Sequence, residues 1–228
     1  MTLEPNPRPA SKLFAAAARA AVVSVAAIMM TTGLAVILPA TASAACPNVE
    51  VSFARGRSQP PGVGNIGDGF ISALRNRVKD VGVYAVRYDA NTDVSGGAND
   101  LSAHLQSVAN SCPNTKLVVG GYSLGAGVVD TALGFQGPVS IGDFFNFTNP
   151  VPPEVGDRIR AIVTFGNIVN RFAPIQNLAG AYSDRVLDLC NDGDPVCMAG
   201  DNESWKSHTT YPPALFAQAA DFAAARVN

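Results

Sequence analysis

The sequence predicts an α/β fold: one domain with a central five-stranded parallel sheet flanked by helices. Three observations predict it. Short runs rich in Val, Ile and aromatic residues alternate with longer stretches of helical spacing, the signature of βαβ units. The strand runs are continuously apolar, as strands covered on both faces must be. Beyond residue 44 the chain has roughly 184 residues, the size of one domain.

The strand candidates are Val49–Ala54, Val83–Tyr88, Lys116–Gly121, Ala161–Phe165 and Arg185–Leu189. Helical spacing marks Gly67–Val81, Ala98–Ser111, Gly125–Gly134 and Pro212–Arg226. Right-handed crossovers between parallel strands then place helices on both faces of the sheet. Phe135–Pro153 holds two glycines, four prolines and three further phenylalanines at 144, 145 and 147. It is too broken for a long helix. It reads either as a surface loop whose rings pack inward or as an apolar wall beside an acyl groove.

Residues 1–44 read as a secretory signal. Arg8, Lys12 and Arg19 precede an apolar run from Ala20 to Leu38, Pro39 breaks it, and Ala42-Ser43-Ala44 offers a small-x-small cleavage site. An uncleaved anchor is the alternative, because the run is nearly long enough to span a bilayer. The helix-breaking Pro39 favours cleavage. A lipid on Cys46 is disfavoured, because Ser43-Ala44-Ala45 lacks a large aliphatic residue. The expectation is a mature domain over residues 45–228, secreted outside the cell or into its envelope.

The 16 basic and 18 acidic side chains of the whole chain become 13 and 17 once Arg8, Lys12, Arg19 and Glu4 are removed. No basic patch argues for nucleic acid, and no charge run argues for a disordered tail. Behind a secretory signal, Cys46, Cys112, Cys190 and Cys197 read as two disulfides with three possible pairings. A short Cys190–Cys197 loop with a long Cys46–Cys112 loop is the pairing expected. No C-x-x-C and no histidine near a cysteine supports zinc, so no metal is expected.

Gly121-Tyr122-Ser123-Leu124-Gly125 follows an apolar strand run and precedes helical spacing. In that context Gly-x-Ser-x-Gly is a nucleophile elbow. The serine sits on a strained turn with its hydroxyl exposed, and side chains two residues before or after it would collide with neighbouring elements. The backbone N–H of Leu124 opens the helix and can face a developing oxyanion. Without that context the pentapeptide is only a glycine-rich strand-to-helix turn.

A serine hydroxyl needs a base, and the chain has only His104 and His208. His104 falls inside a helix two elements before Ser123 and reads as a packing residue. His208 lies in a polar loop before the last helix, and the chain order Ser, acid, His suits an α/β hydrolase. Of the acids ahead of it, Asp184, Asp188, Asp192, Asp194 and Asp201, Asp194 is favoured. A disulfide around Cys190–Cys197 and the fixed φ of Pro195 would hold its carboxylate rigidly. Asp192 is the competitor. The loop Arg55–Asn65 after the first strand emerges at the same sheet edge and offers a second oxyanion donor.

These residues resemble the cutinase family, including its actinobacterial cutinase-like members. The matching pieces are Phe53-Ala-Arg-Gly56, Cys112-Pro113, Gly120-Gly-Tyr-Ser-Leu-Gly-Ala126, Cys190-x-x-x-Asp194-Pro-Val-Cys197, and His208 followed by Tyr211. The resemblance implies a small lidless α/β-hydrolase, no cofactor, the triad Ser123, Asp194 and His208, and the disulfides Cys46–Cys112 and Cys190–Cys197. Arg57 stands where fungal members carry a small hydroxyl residue that helps the oxyanion hole. Its backbone N–H remains available, with Ser58 as the one nearby hydroxyl. Leu124 replaces their glutamine.

The expected activity is therefore a monomeric serine esterase acting on short- to medium-chain acyl esters, with an ester or lipid substrate and possible contact with a lipid surface. The oxyanion donors are the backbone N–H groups of Arg57 and Leu124. Phospholipase A or lipase action and acyl transfer to a sugar hydroxyl are the alternatives on the same scaffold. A non-catalytic binding protein is the reading from another class, which the intact triad candidates argue against.

Overall fold

The computed structural model describes residues 46–135, 147–200 and 202–228. Five parallel strands, β1 (Val49–Ala54), β2 (Val81–Ala85), β3 (Lys116–Tyr122), β4 (Ile159–Phe165) and β5 (Val186–Leu189), lie in the order β2-β1-β3-β4-β5. Helices α1 (Gly64–Arg75) and α6 (Pro213–Val227) pack together on one face, and α2 (Val94–Ser111) and α3 (Leu124–Leu133) on the other. Two short helices, α4 (Pro153–Gly156) and α5 (Trp205–Thr209), are also present. None of the helices among the described residues is long and apolar enough to cross a membrane.

The double cover explains the apolar strand runs. In β4, Ala161, Val163 and Phe165 face the α1/α6 layer, while Ile162 faces α2 and α3. Every residue of β3 after Lys116 is buried. Phe53, Phe70 and Phe165 form a ring cluster in the α1/α6 layer, with centroids 6.1 to 6.5 Å apart. The strand order reverses between β1 and β3, so the loops leaving these two strands flank the crevice where open α/β sheets build their sites.

Both expected disulfides are present, Cys46–Cys112 and Cys190–Cys197. The first ties the entry to β1 to the end of α2.

Several boundaries differ from the sequence reading. α1 stops at Arg75, because Arg77 and Val78 both close on the Leu74 carbonyl and Asp80 turns back at φ 57°. Val81 thereby enters β2 rather than ending the helix. β2 ends at Ala85, where its partner β1 runs out, and Val86 and Tyr88 instead offer their carbonyls to Arg55. α2 begins at Val94, four residues early, with the Asp93 carboxylate accepting from Gly96 N–H at 2.7 Å. Gly97 lies inside this helix because a Cβ there would meet Val128 and Tyr88 within 3.0 Å.

In the broken Phe135–Pro153 segment, Phe135 is buried against Tyr182, and Phe147 packs on the α2/α3 core. Those two rings fit the inward-packing reading. Residues 136–146, including Phe144 and Phe145, lie outside the described residues, and with them the acyl-wall reading.

Candidate active site

The turn at Ser123 is built by sterics. Ser123 has φ 55° and ψ −118°, a sparsely populated conformation for a non-glycine residue. Its N–H is held by the Phe165 carbonyl at 2.9 Å. A Cβ on Gly121 would fall 2.2 Å from the Gly125 carbonyl oxygen, and one on Gly125 would fall 2.1 Å from that of Ala54. Backbone cannot yield at such distances, so both flanking positions require glycine. The hydroxyl of Ser123 is half-buried at the carboxyl edge of the sheet.

His208 Nε2 lies 2.9 Å from Ser123 Oγ, and Nδ1 lies 2.8 Å from both carboxylate oxygens of Asp194. A carboxylate only accepts, so Nδ1 carries the hydrogen and Nε2 presents its lone pair to the serine hydroxyl. The imidazole is buried, and Asp194 is fully so. Asp194 also accepts from Tyr211 Oη at 2.7 Å and from Val196 N–H at 2.8 Å. Burial is the largest influence on this carboxyl and pushes it up. The bonds from His208, Tyr211 and Val196, with the histidine charge, outweigh burial and hold it below the usual range.

His208 sits on α5, not in the loop expected from its polar surroundings. Ser204 caps this helix by accepting from Lys206 N–H, and Asn191 Nδ2 donates to the Ser207 and Thr210 carbonyls. Tyr122, the variable residue of the elbow motif, donates its hydroxyl to the His208 carbonyl at 2.7 Å. Gly166, at φ 60°, passes under the ring, where a Cβ would meet His208 Cε1 at 2.9 Å.

The competing residues fall elsewhere. Asp192 and Asp184 are exposed, and Asp201 is outside the described residues. Asp188 accepts from Thr164 Oγ1 at 2.7 Å. His104 stacks on Tyr84, with centroids 3.4 Å apart, and its Nε2 lies 2.6 Å from Glu50 Oε1, a packing role as expected. Cys190, Asp194 and Cys197 come close together, but both sulfurs are in the disulfide and have no thiolate to offer a metal.

The loop after β1 is held by a buried arginine. Arg55 donates to the carbonyls of Gln59, Val86 and Tyr88, and Tyr88 Oη donates back to the Arg55 carbonyl. Gly56 N–H goes to Gln59 Oε1 and Ser58 N–H to the Ala90 carbonyl. Of these consecutive amides, the one on exposed Arg57 has no acceptor among the described residues. Ser58 Oγ donates to Asn91 at 2.9 Å, so its hydroxyl is committed elsewhere. Leu124 is the first residue of α3, and its N–H has no acceptor within the helix. A Cβ on Gly56 would strike the Tyr122 ring at 2.5 Å, which places this loop directly against the elbow.

Sequence reasoning did not identify the bracing by Tyr122, Gly166 or Asn191. Tyr211 entered only through the family pattern. None of them carries a local signal, since each acts across the fold.

The Cutinase family model matches residues 45–227. The chain belongs to the cutinase family. As a member it is a carboxylic ester hydrolase. It is 47% identical over 224 residues to Probable carboxylesterase Culp2 of Mycobacterium tuberculosis H37Rv, covering 92% of this chain and 94% of that one. It is 40% identical over 233 residues to Phospholipase Culp4 of the same organism, covering 98% and 99%. A Trichoderma reesei cutinase solved with a phosphonate inhibitor superposes with a TM-score of 0.62 at 29% identity, covering 80% of this chain and 78% of that one.

Proposed function

We propose that this cutinase-family chain is a secreted serine esterase that cleaves short- to medium-chain acyl esters through Ser123, His208 and Asp194. The observation that carries this reading is the continuous hydrogen-bond chain from Ser123 Oγ through His208 to a buried, ionised Asp194. His208 Nε2 takes the hydroxyl proton as Oγ attacks the ester carbonyl. The N–H groups of Leu124 and Arg57 hold the oxyanion. Asp194 stabilises the imidazolium without taking its proton. The imidazolium then protonates the leaving alcohol, and an acyl-Ser123 remains. Water, deprotonated by His208, releases the acid.

Residues 1–44 serve as a cleaved secretory signal, and two disulfides suit an oxidising compartment. One chain supplies the whole set, which supports action as a monomer. Ile168, Phe172 and Met198 are exposed on or next to two segments, the Ile168–Arg171 turn and the Cys190–Cys197 loop, that hydrogen-bond to each other through Asn170 and Arg171, which supports contact with lipid or ester aggregates. The likeness to Phospholipase Culp4 adds phospholipids as a second substrate class.

The test is hydrolysis of p-nitrophenyl esters from acetate to palmitate by the mature protein and Ser123→Ala. A maximum at short or medium chains that vanishes in the variant is expected. No hydrolysis at any length by folded, disulfide-bonded protein would overturn the reading.

A further inference from the structure

We infer that Trp205 forms the binding platform for the alcohol half of the ester, and that this platform selects alcohols presenting a flat ring over short open-chain alcohols. The inference rests on His208 being the base, as proposed above. An imidazolium that protonates the leaving oxygen must be within hydrogen-bond reach of it. The alcohol skeleton therefore departs over the imidazole side of Ser123, and the surfaces around His208 decide which alcohols are held.

Most of these surfaces are closed. Asp194 occupies the Nδ1 edge. Gly166 is packed against Cε1. The Tyr122 ring, 5.0 Å away, is buried, and its hydroxyl is used on the His208 carbonyl. Trp205 differs. Its ring stands edge-on to the imidazole at 5.7 Å and 75°, and the residue is 69% exposed.

This is the only tryptophan in the chain. Its indole N–H has no acceptor among the described residues. Its backbone is nonetheless fixed: Thr209 Oγ1 donates to the Trp205 carbonyl at 3.1 Å, and the cap residue before it, Ser204, donates its N–H to the Gly193 carbonyl at 2.8 Å. A large apolar ring is thus exposed to water, on a fixed helix turn, edge-on to the imidazole that must protonate the leaving group. Aromatic faces of this kind bind other flat apolar faces, either an aryl ring or the C–H face of a sugar. Its indole N–H remains free to donate to a hydroxyl on such a ring.

The experiment holds the acyl group constant. Ethyl butyrate, phenyl butyrate and 6-O-butyryl-glucose are compared by pH-stat with wild type, Trp205→Ala and Trp205→Phe. Intrinsic reactivity of each ester cancels when each variant is divided by wild type. Trp205→Ala is expected to lower the ring-to-ethyl ratio of kcat/KM about three- to tenfold, and Trp205→Phe to restore most of it. A larger fall for the glucose ester identifies a carbohydrate alcohol, and a larger fall for the phenyl ester an aryl one. Because Trp205 is the sole tryptophan, its fluorescence should also shift and saturate as the ring ester is added to the Ser123→Ala protein. An unchanged ratio, or an equal fall for all three esters, would overturn the platform. Failure of the wild type on all three would overturn the hydrolytic reading and the platform with it.

Discussion

The Tyr211 hydroxyl lies 2.7 Å from Oδ2 of Asp194 and donates to it from a fully enclosed position. The tyrosine's own ionisation is pushed far up, first by burial and then by Asp194 itself. It therefore acts as a permanent donor to the carboxylate. Its ring sits edge-on to Phe165 at 5.6 Å, so it also fills the core below the site.

Tyr211→Phe keeps the ring and removes only that donor. A hydrogen bond to a charged group is worth about 1.5–3 kcal/mol, so unfolding free energy at neutral pH should drop by about 2 kcal/mol. Asp194 has a depressed pKa. Its contribution to stability is present above the ordinary carboxylate range and is lost as pH falls through the lowered folded value. The variant raises that folded value and should shift the acid-unfolding midpoint upward. Urea melts between pH 3 and 7 read both effects, and an unshifted midpoint would contradict them.

The strain at Ser123 makes a second prediction. A non-glycine residue at φ 55°, ψ −118° costs on the order of 1–3 kcal/mol, and glycine adopts such angles freely. Ser123→Gly should be inactive yet more stable, by about 1 kcal/mol after glycine's extra unfolded-state entropy. That corresponds to a rise in Tm of about 2–4 °C in a domain of this size. Ser123→Ala, which keeps the strain, should not show the gain. Calorimetry on the two inactive variants separates them.

The candidate site residues were legible where their chemistry leaves a local mark. Gly121 and Gly125 are spaced by the collision each must avoid, and scarcity of histidine pointed to His208. The four-residue spacing from Cys190 to Asp194 placed the acid inside a loop, which the fold closes with a disulfide. The boundaries of α1 and β2 were not legible, because they depend on where β1 ends and on Arg55 needing the Val86 and Tyr88 carbonyls. The helix carrying His208 was hidden by its polar composition. It forms because Ser204, Asn191 and Tyr122 hold its ends, and those partners lie up to 86 residues away.

The two disulfides should differ in what their loss removes. Cys46–Cys112 spans 66 residues and Cys190–Cys197 spans 7. On loop-closure entropy, losing the first costs about 4 kcal/mol and the second about 2.5 kcal/mol. The short loop, however, carries Asp194. The pair Cys190→Ser/Cys197→Ser should lose activity by well over tenfold while remaining folded at 25 °C. The pair Cys46→Ser/Cys112→Ser should melt earlier but retain kcat once folded. Esterase assays beside thermal melts test this, and equal activity in both pairs would refute it.

The last prediction concerns two acids outside the proposed triad, Asp130, which is buried, and Asp188, which is half-buried. Asp130 on α3 is pushed up to about 8, chiefly by burial, and Asp188 on β5 to about 7 for the same reason. Asp130 accepts from Asn167 Nδ2 at 2.9 Å, and its other oxygen has no partner among the described residues, an arrangement that suits a neutral acid. Both folded values exceed the unfolded value of 3.8. Their stabilising contribution is therefore complete below the unfolded pKa and declines as pH rises toward the folded values. Wild-type stability should fall between about pH 4 and pH 8, by on the order of several kcal/mol, with the Asp194 effect confined to the acid side of that window. Asp130→Asn keeps the acceptor for Asn167 and cannot ionise. It should match wild type near pH 4 and exceed it at pH 8, and Asp130→Asn/Asp188→Asn should flatten the profile further. A single variant that is weaker than wild type by the same amount at every pH would show that Asp130 is ionised in the folded protein.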